Sequence, residues 1–171
     1  RRVLFRSEIN NKARMLAGYC WKWPTKSRSN TNYKDIQIPD KNFEMAWNLD
    51  NYIWAIDPQS IEEAGCIHTT QGLEFDYIGV IIGPDMRYEN GRIVTDIYER
   101  ATTDNSTKGL KKLMKEDPDA AYAKGDEIIK NTYRTLMTRG MKGCRVYCVD
   151  EALGLYLQDR IANNPLSRAL A

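Results

Sequence analysis

Apolar positions in this chain come in short runs whose period changes from segment to segment. Ile9, Ala13, Met15, Leu16 and Ala17, with Lys12 and Arg14 between them, approximate helical spacing and predict a helix over 8–20. Asp35-Ile36-Gln37-Ile38-Pro39 alternates like a short strand ended by proline. Phe43, Met45, Ala46 and Trp47 lead to Asn48-Leu49-Asp50, and Tyr52–Ile56 reads equally as a core strand or a buried half-turn. Asp57-Pro58 opens a short helix over 59–64, with Glu62 and Glu63 near its positive end and Gly65 closing it. Cys66-Ile67-His68 then reads as a strand. The run Tyr77-Ile78-Gly79-Val80-Ile81-Ile82-Gly83, closed by Pro84, is rich in β-branched residues and too short for a helix, so it predicts a buried strand. Asn90-Gly91 between alternating residues gives the strongest hairpin signal. An exposed helix is expected over 106–115, ended at Asp117-Pro118. Ile128, Ile129, Thr132, Leu136 and Met137 form the apolar stripe of another helix, followed by a buried strand over 144–149. Asp150-Glu151 caps a last helix, 152–162, with Leu153, Leu155, Tyr156, Leu157 and Ile161 toward a core. Strands alternating with helices make this an α/β chain with a mostly parallel sheet flanked by helices, plus a β-hairpin insertion.

Composition bounds the picture. The 171 residues suffice for one α/β domain and are too few for two full ones. A net charge of +2 announces no polyanion partner, so any basic surface is local. No apolar run approaches bilayer length and no signal peptide is visible, so no membrane role is expected. Four cysteines in a chain of this class point to reduced thiols and a cytoplasmic protein. With a single histidine, Cys144 and Cys148 lack partners for a zinc site, and no metal ligands are assigned. Arg1–Ser7 reads as translated sequencing-adapter sequence rather than native chain, the alternative being a genuine strand. The domain is accordingly expected over 8–162, with 163–171 a tail.

Two stretches carry candidate chemistry. The polar nonamer His68-Thr69-Thr70-Gln71-Gly72-Leu73-Glu74-Phe75-Asp76 holds a glycine bend and an acid two residues after it. Such loops beside buried strands are where α/β proteins place ligand chemistry. The second is the helix end Tyr133-Arg134-Thr135-Leu136-Met137-Thr138-Arg139-Gly140. Read alone, Arg139 is a cation favoured by a helix C-terminus. Trp21 and Trp23 around Lys22 suit either core filling or stacking on bases. The loop 25–34 and the lysines Lys108, Lys111, Lys112 and Lys115 are solvated or touch nucleic acid or a partner.

The nonamer resembles motif V of superfamily 1 helicases, and the helix end resembles their motif VI, Leu-x-Thr-Arg-(Ala/Gly). Ala17-Gly18-Tyr19-Cys20-Trp21 with Trp23 is similar to a phrase in bacterial helicase-like proteins related to the Schlafen helicase domains. The resemblance covers roughly 9–160 and implies a RecA-like fold, the C-terminal lobe of an ATP-driven helicase or translocase. It implies Arg139 as the catalytic arginine finger, a role that needs a permanently charged, bidentate guanidinium. It implies Gly72 as the bend at the lobe interface and Glu74 as the acid bonding the nucleotide ribose. Gln71 would couple nucleotide state to the strand, with Arg134 a second phosphate contact. His68, Thr69 and Thr70 would face single-stranded DNA or RNA. No Gly-x-x-x-x-Gly-Lys-(Ser/Thr) occurs, so the implied ATP and Mg would be held mainly by an N-terminal P-loop lobe. Alternatives are a helicase-like nucleic-acid or protein-binding module without turnover, and an unrelated α/β binding domain.

Overall fold

The computed structural model describes residues 12–21, 33–47, 54 and 58–165. The strand Phe75–Ile82 (β5 in chain order) is the spine, because its two faces feed two separate cores. Ahead of it come β1 (Ala13–Ala17), β2 (Ile36–Ile38), β3 (Phe43–Trp47) and β4 (Glu63–Gly65). After it come the hairpin β6 (Met86–Glu89) and β7 (Arg92–Thr95), and then β8 (Gly140–Cys148). Six strands form one sheet in the order β2-β3-β4-β1-β5-β8, parallel throughout except for β2 against β3. Helices α1 (Leu110–Glu116), α2 (Pro118–Met137) and α3 (Glu151–Ala162) complete the α/β architecture.

Ile78, Val80 and Ile82 pack with Ile129, Tyr133 and Leu136 of α2, Leu153 of α3 and Met86 of the hairpin. Ile81 faces the other way, joining Ala17, Ala64, Trp47, Ile36 and Ile38. Each such fully buried aliphatic side chain contributes about 1.5–3 kcal/mol. The hairpin forms as predicted, with Asn90 and Gly91 at φ 50° and 78°.

Several expectations are corrected. Residues 13–17 are not helical: β1 lies between β4 and β5, buried on both faces, so its near-continuous apolar run imitates helical spacing. Its Arg14 is buried beside the Trp54 ring and donates to Ser60. The helix expected over 59–64 is a 3-10 turn, Pro58–Glu62, and the strand that follows is Glu63–Gly65 rather than 66–68. Phe43–Trp47 is a strand. Asp117-Pro118 does not simply interrupt: Asp117 accepts from Ala120 N and caps α2, which begins ten residues earlier than its apolar stripe shows. The strand β8 starts at Gly140 and is an exposed edge rather than a buried strand. Asp150 caps α3 as expected, yet Leu155 and Ile161 point to solvent. Trp21 is half-buried against the second core. The expectations for 1–7, Lys22 and Trp23, the loop 25–34 apart from Tyr33 and Lys34, Tyr52–Ile56 apart from the buried Trp54, and 166–171 lie outside the described residues.

Candidate nucleotide edge and strand edge

The nonamer is the connection from β4 to β5, and it travels the length of the sheet. Gly65 at the end of β4 is level with Leu16 and Val80, whereas Phe75 lies below the first residue of β1. At about 3.3 Å per residue, the link descends roughly 17 Å. It begins as a tight turn held by its own threonines. Thr69 Oγ1 accepts from Cys66 N (2.9 Å), and the Thr70 hydroxyl donates to Cys66 O (3.0 Å). Thr70 is fully buried, so its polarity is spent inside the turn. His68 and Gln71 are exposed, and the His68 ring stands edge-on to Tyr19 with centroids 6.1 Å apart. Tyr19 in turn meets Trp47 at 4.5 Å. This is the C-terminal edge of the sheet. Gly72 takes φ +76°, a left-handed value that a side chain would strain.

The far end of the link reaches the N-terminal edge. Phe75 N donates to the carbonyl of Arg139 at 2.8 Å, and Phe75 pairs with Gly140 across β5 and β8. Glu74 and Arg139 each immediately precede one of these adjoining strands and are therefore backbone neighbours, although 65 positions separate them in the chain. A bulge follows at once: β8 spends one more residue than β5 between this pair and Tyr77–Gly143. A side chain at Gly140 would strike the Gly143 carbonyl, so glycine is required beside Arg139. Glu74 is exposed, while Arg139 is half-buried with its Nε enclosed and without a hydrogen-bond partner among the described residues. A buried guanidinium nitrogen left unpaired is costly. Lys142 reaches Asp76 at 3.1 Å, and Lys12 accepts the Asp76 amide, so more charge collects on the same edge. Arg134 is exposed on the last turn of α2.

A buried polar cluster escaped the sequence reading. The Tyr133 hydroxyl donates to Asp85 and accepts from Gly83 N at 2.9 Å. Arg100 bridges Asp85 (3.0 Å) and Asp104 (2.6 Å), all three side chains being essentially inaccessible. Burial raises the Tyr133 phenol well above its ordinary range, helped by Cys20 and Asp85. Burial also pulls the Arg100 guanidinium down, but Asp104 and Asp85 outweigh it and the net direction is up. The Cys20 thiol, beside Tyr133, is pushed up by burial and by Asp85. The only local signal was an acid directly after Gly83-Pro84, indistinguishable from a turn residue.

Residues 2–150 match the family model described as Schlafen group 3, DNA/RNA helicase domain. The chain belongs to that family. This Schlafen-type helicase-like chain is also similar to the uncharacterized protein YPL245W of Saccharomyces cerevisiae, 29% identical over 118 residues. That alignment covers 66% of this chain and 25% of the yeast protein, so the match takes in about a quarter of that relative's length. No solved structure matches. Among the described residues no helix is long and apolar enough to cross a membrane.

Proposed function

We propose that this chain is the RecA-like C-terminal lobe of an ATP-dependent DNA or RNA helicase or translocase, contributing one wall of an ATP site. The observation that carries the reading is the bond from Phe75 N to Arg139 O, which sets Glu74 and Arg139 side by side on one edge. In this reading an N-terminal P-loop lobe holds ATP and its Mg, and faces that edge. Arg139 reaches the γ-phosphate as the arginine finger, a role that its permanently charged, bidentate guanidinium suits. Glu74 accepts from the ribose, and exposed Arg134 offers a second phosphate contact. Gly72 supplies the bend that lets the link reach the interface.

The strand side of the reading rests on the same link. Of its exposed members, His68 lies at the opposite edge from Glu74, beside Tyr19, and Gln71 follows it in the turn that Thr69 and Thr70 hold rigid. A shift of Glu74 as the lobes close on nucleotide would then be passed to His68 and Gln71 along a single segment. The test begins with the chain by itself, which should show no ATP turnover, because half of the site is absent. Turnover by the purified chain that disappears in Arg139→Ala would contradict the shared-site reading.

A further inference from the structure

We propose that a single strand of DNA or RNA also runs over the surface formed by α1 and residues 97–103, with Tyr98 as a stacking platform; this rests on the strand-edge reading above. Residues 105–115 hold Lys108, Lys111, Lys112 and Lys115 and no acid. The whole chain carries +2, so everything outside this stretch sums to −2. Four lysines with no acid between them make this short surface locally cationic and complementary to a polyphosphate, Glu99 beside Tyr98 being the one exposed acid of 97–103. All four lysines are exposed. Only Lys112 is in an ion pair among the described residues, with Glu116 at 3.6 Å.

The surface also has an aromatic face. Tyr98 is 56% exposed, and the Lys111 ammonium lies over its ring at 5.7 Å. A tyrosine ring flanked by lysines combines base stacking with phosphate attraction, the pairing by which single strands are held without sequence preference. Both elements stand on anchored neighbours: Ile97 and Leu110 are buried in the main core, and Ile97 occupies the space a side chain at Gly125 would need. Little ordering entropy is therefore lost on binding.

Continuity links this surface to the His68 edge. Ala101 N donates to Tyr19 O at 2.8 Å, and Tyr19 carries the His68 ring. Exposed Thr102 and Thr103 follow Ala101 directly. A strand leaving His68 and Gln71 thus meets residues 101–103, then Tyr98 and the lysines, without leaving the C-terminal side of the sheet. Glu116 and Asp117 mark the acidic limit of the track.

An NMR amide titration of the full chain with oligothymidylate or oligouridylate of about twelve nucleotides tests this. Perturbations are expected at 98–115 together with 67–72. Lys108→Glu/Lys111→Glu/Lys115→Glu should weaken binding at least about tenfold and lower the salt slope by about 2, at about 0.7 per lost phosphate contact on a single strand. Tyr98→Ala should weaken it several-fold with the salt slope unchanged, which a purely electrostatic surface would not show. Perturbations confined to 67–72, or a triple variant that is folded by its spectrum and binds equally well, would overturn this surface and leave the His68 edge standing. An absence of perturbation anywhere would overturn both.

Discussion

Tyr133 is where a single hydroxyl ties three segments together. Its oxygen meets Asp85 and the Gly83 amide in a slot left open by Gly18, where any side chain would collide with the phenol. Tyr133→Phe keeps the ring but leaves the buried Gly83 amide without this acceptor and Asp85 with Arg100 alone of its two side-chain partners, and should cost about 1–3 kcal/mol in a denaturant titration. Gly18→Ala should cost about 1–3 kcal/mol by overpacking the same slot, measured the same way. The phenol's proton affinity is higher folded than unfolded. Above its ordinary titration range, near pH 10, the unfolded chain therefore releases a proton that the folded chain retains. Stability falls with rising pH in that window. Chemical denaturation between pH 8 and about 11 should show a smaller alkaline loss in Tyr133→Phe than in the parent. None of this was legible in the sequence, because an Asp after Gly-Pro and an Arg after a 3-10 turn look like loop residues until distant segments enclose them.

At the scale of elements, short-range signals read well and long-range ones did not. The Asn90-Gly91 turn and the Asp150 cap depend on residues within four positions of each other, and both form where expected. The strand β1 misled because a central parallel strand loses the alternation that reveals a strand, and five residues are too few to separate periods of two and 3.6. The strand β8 misled in the opposite sense, its Val146, and Val149 just past its end, being exposed at the sheet's edge. The hairpin is fastened, not free. Tyr88 N donates to Asp150, the Tyr88 and Tyr156 rings stack at 4.3 Å, and Thr95 donates to Asp126. Asp150 thus caps α3 and holds β6 with one oxygen. Asp150→Ala should cost about 1–2 kcal/mol. Hydrogen exchange should quicken in β6 and the first turn of α3 together; a change restricted to α3 would show that the hairpin tie contributes nothing.

For the whole molecule, the two candidate stretches were visible as motifs, and their meeting at one edge was implied only by the family resemblance. Nothing local in Glu74 or Arg139 states that a parallel pairing of β5 with β8 brings them to one edge. To the family's helicase-like character the proposed reading adds a division of labour along the link 66–74, which joins two edges of one sheet. The proposed nucleotide contacts gather at the N-terminal edge, and the proposed strand contacts at the other. The most direct measurement is single-turnover ATP hydrolysis by a protein that joins this chain to the proposed P-loop lobe, comparing Arg139 with Arg139→Lys and Arg139→Ala. A finger that stabilises developing phosphate charge predicts a fall of about 10³-fold or more for alanine, poor rescue by lysine, and nucleotide affinity little changed. Hydrolysis that proceeds at the parental rate without the guanidinium would contradict the account.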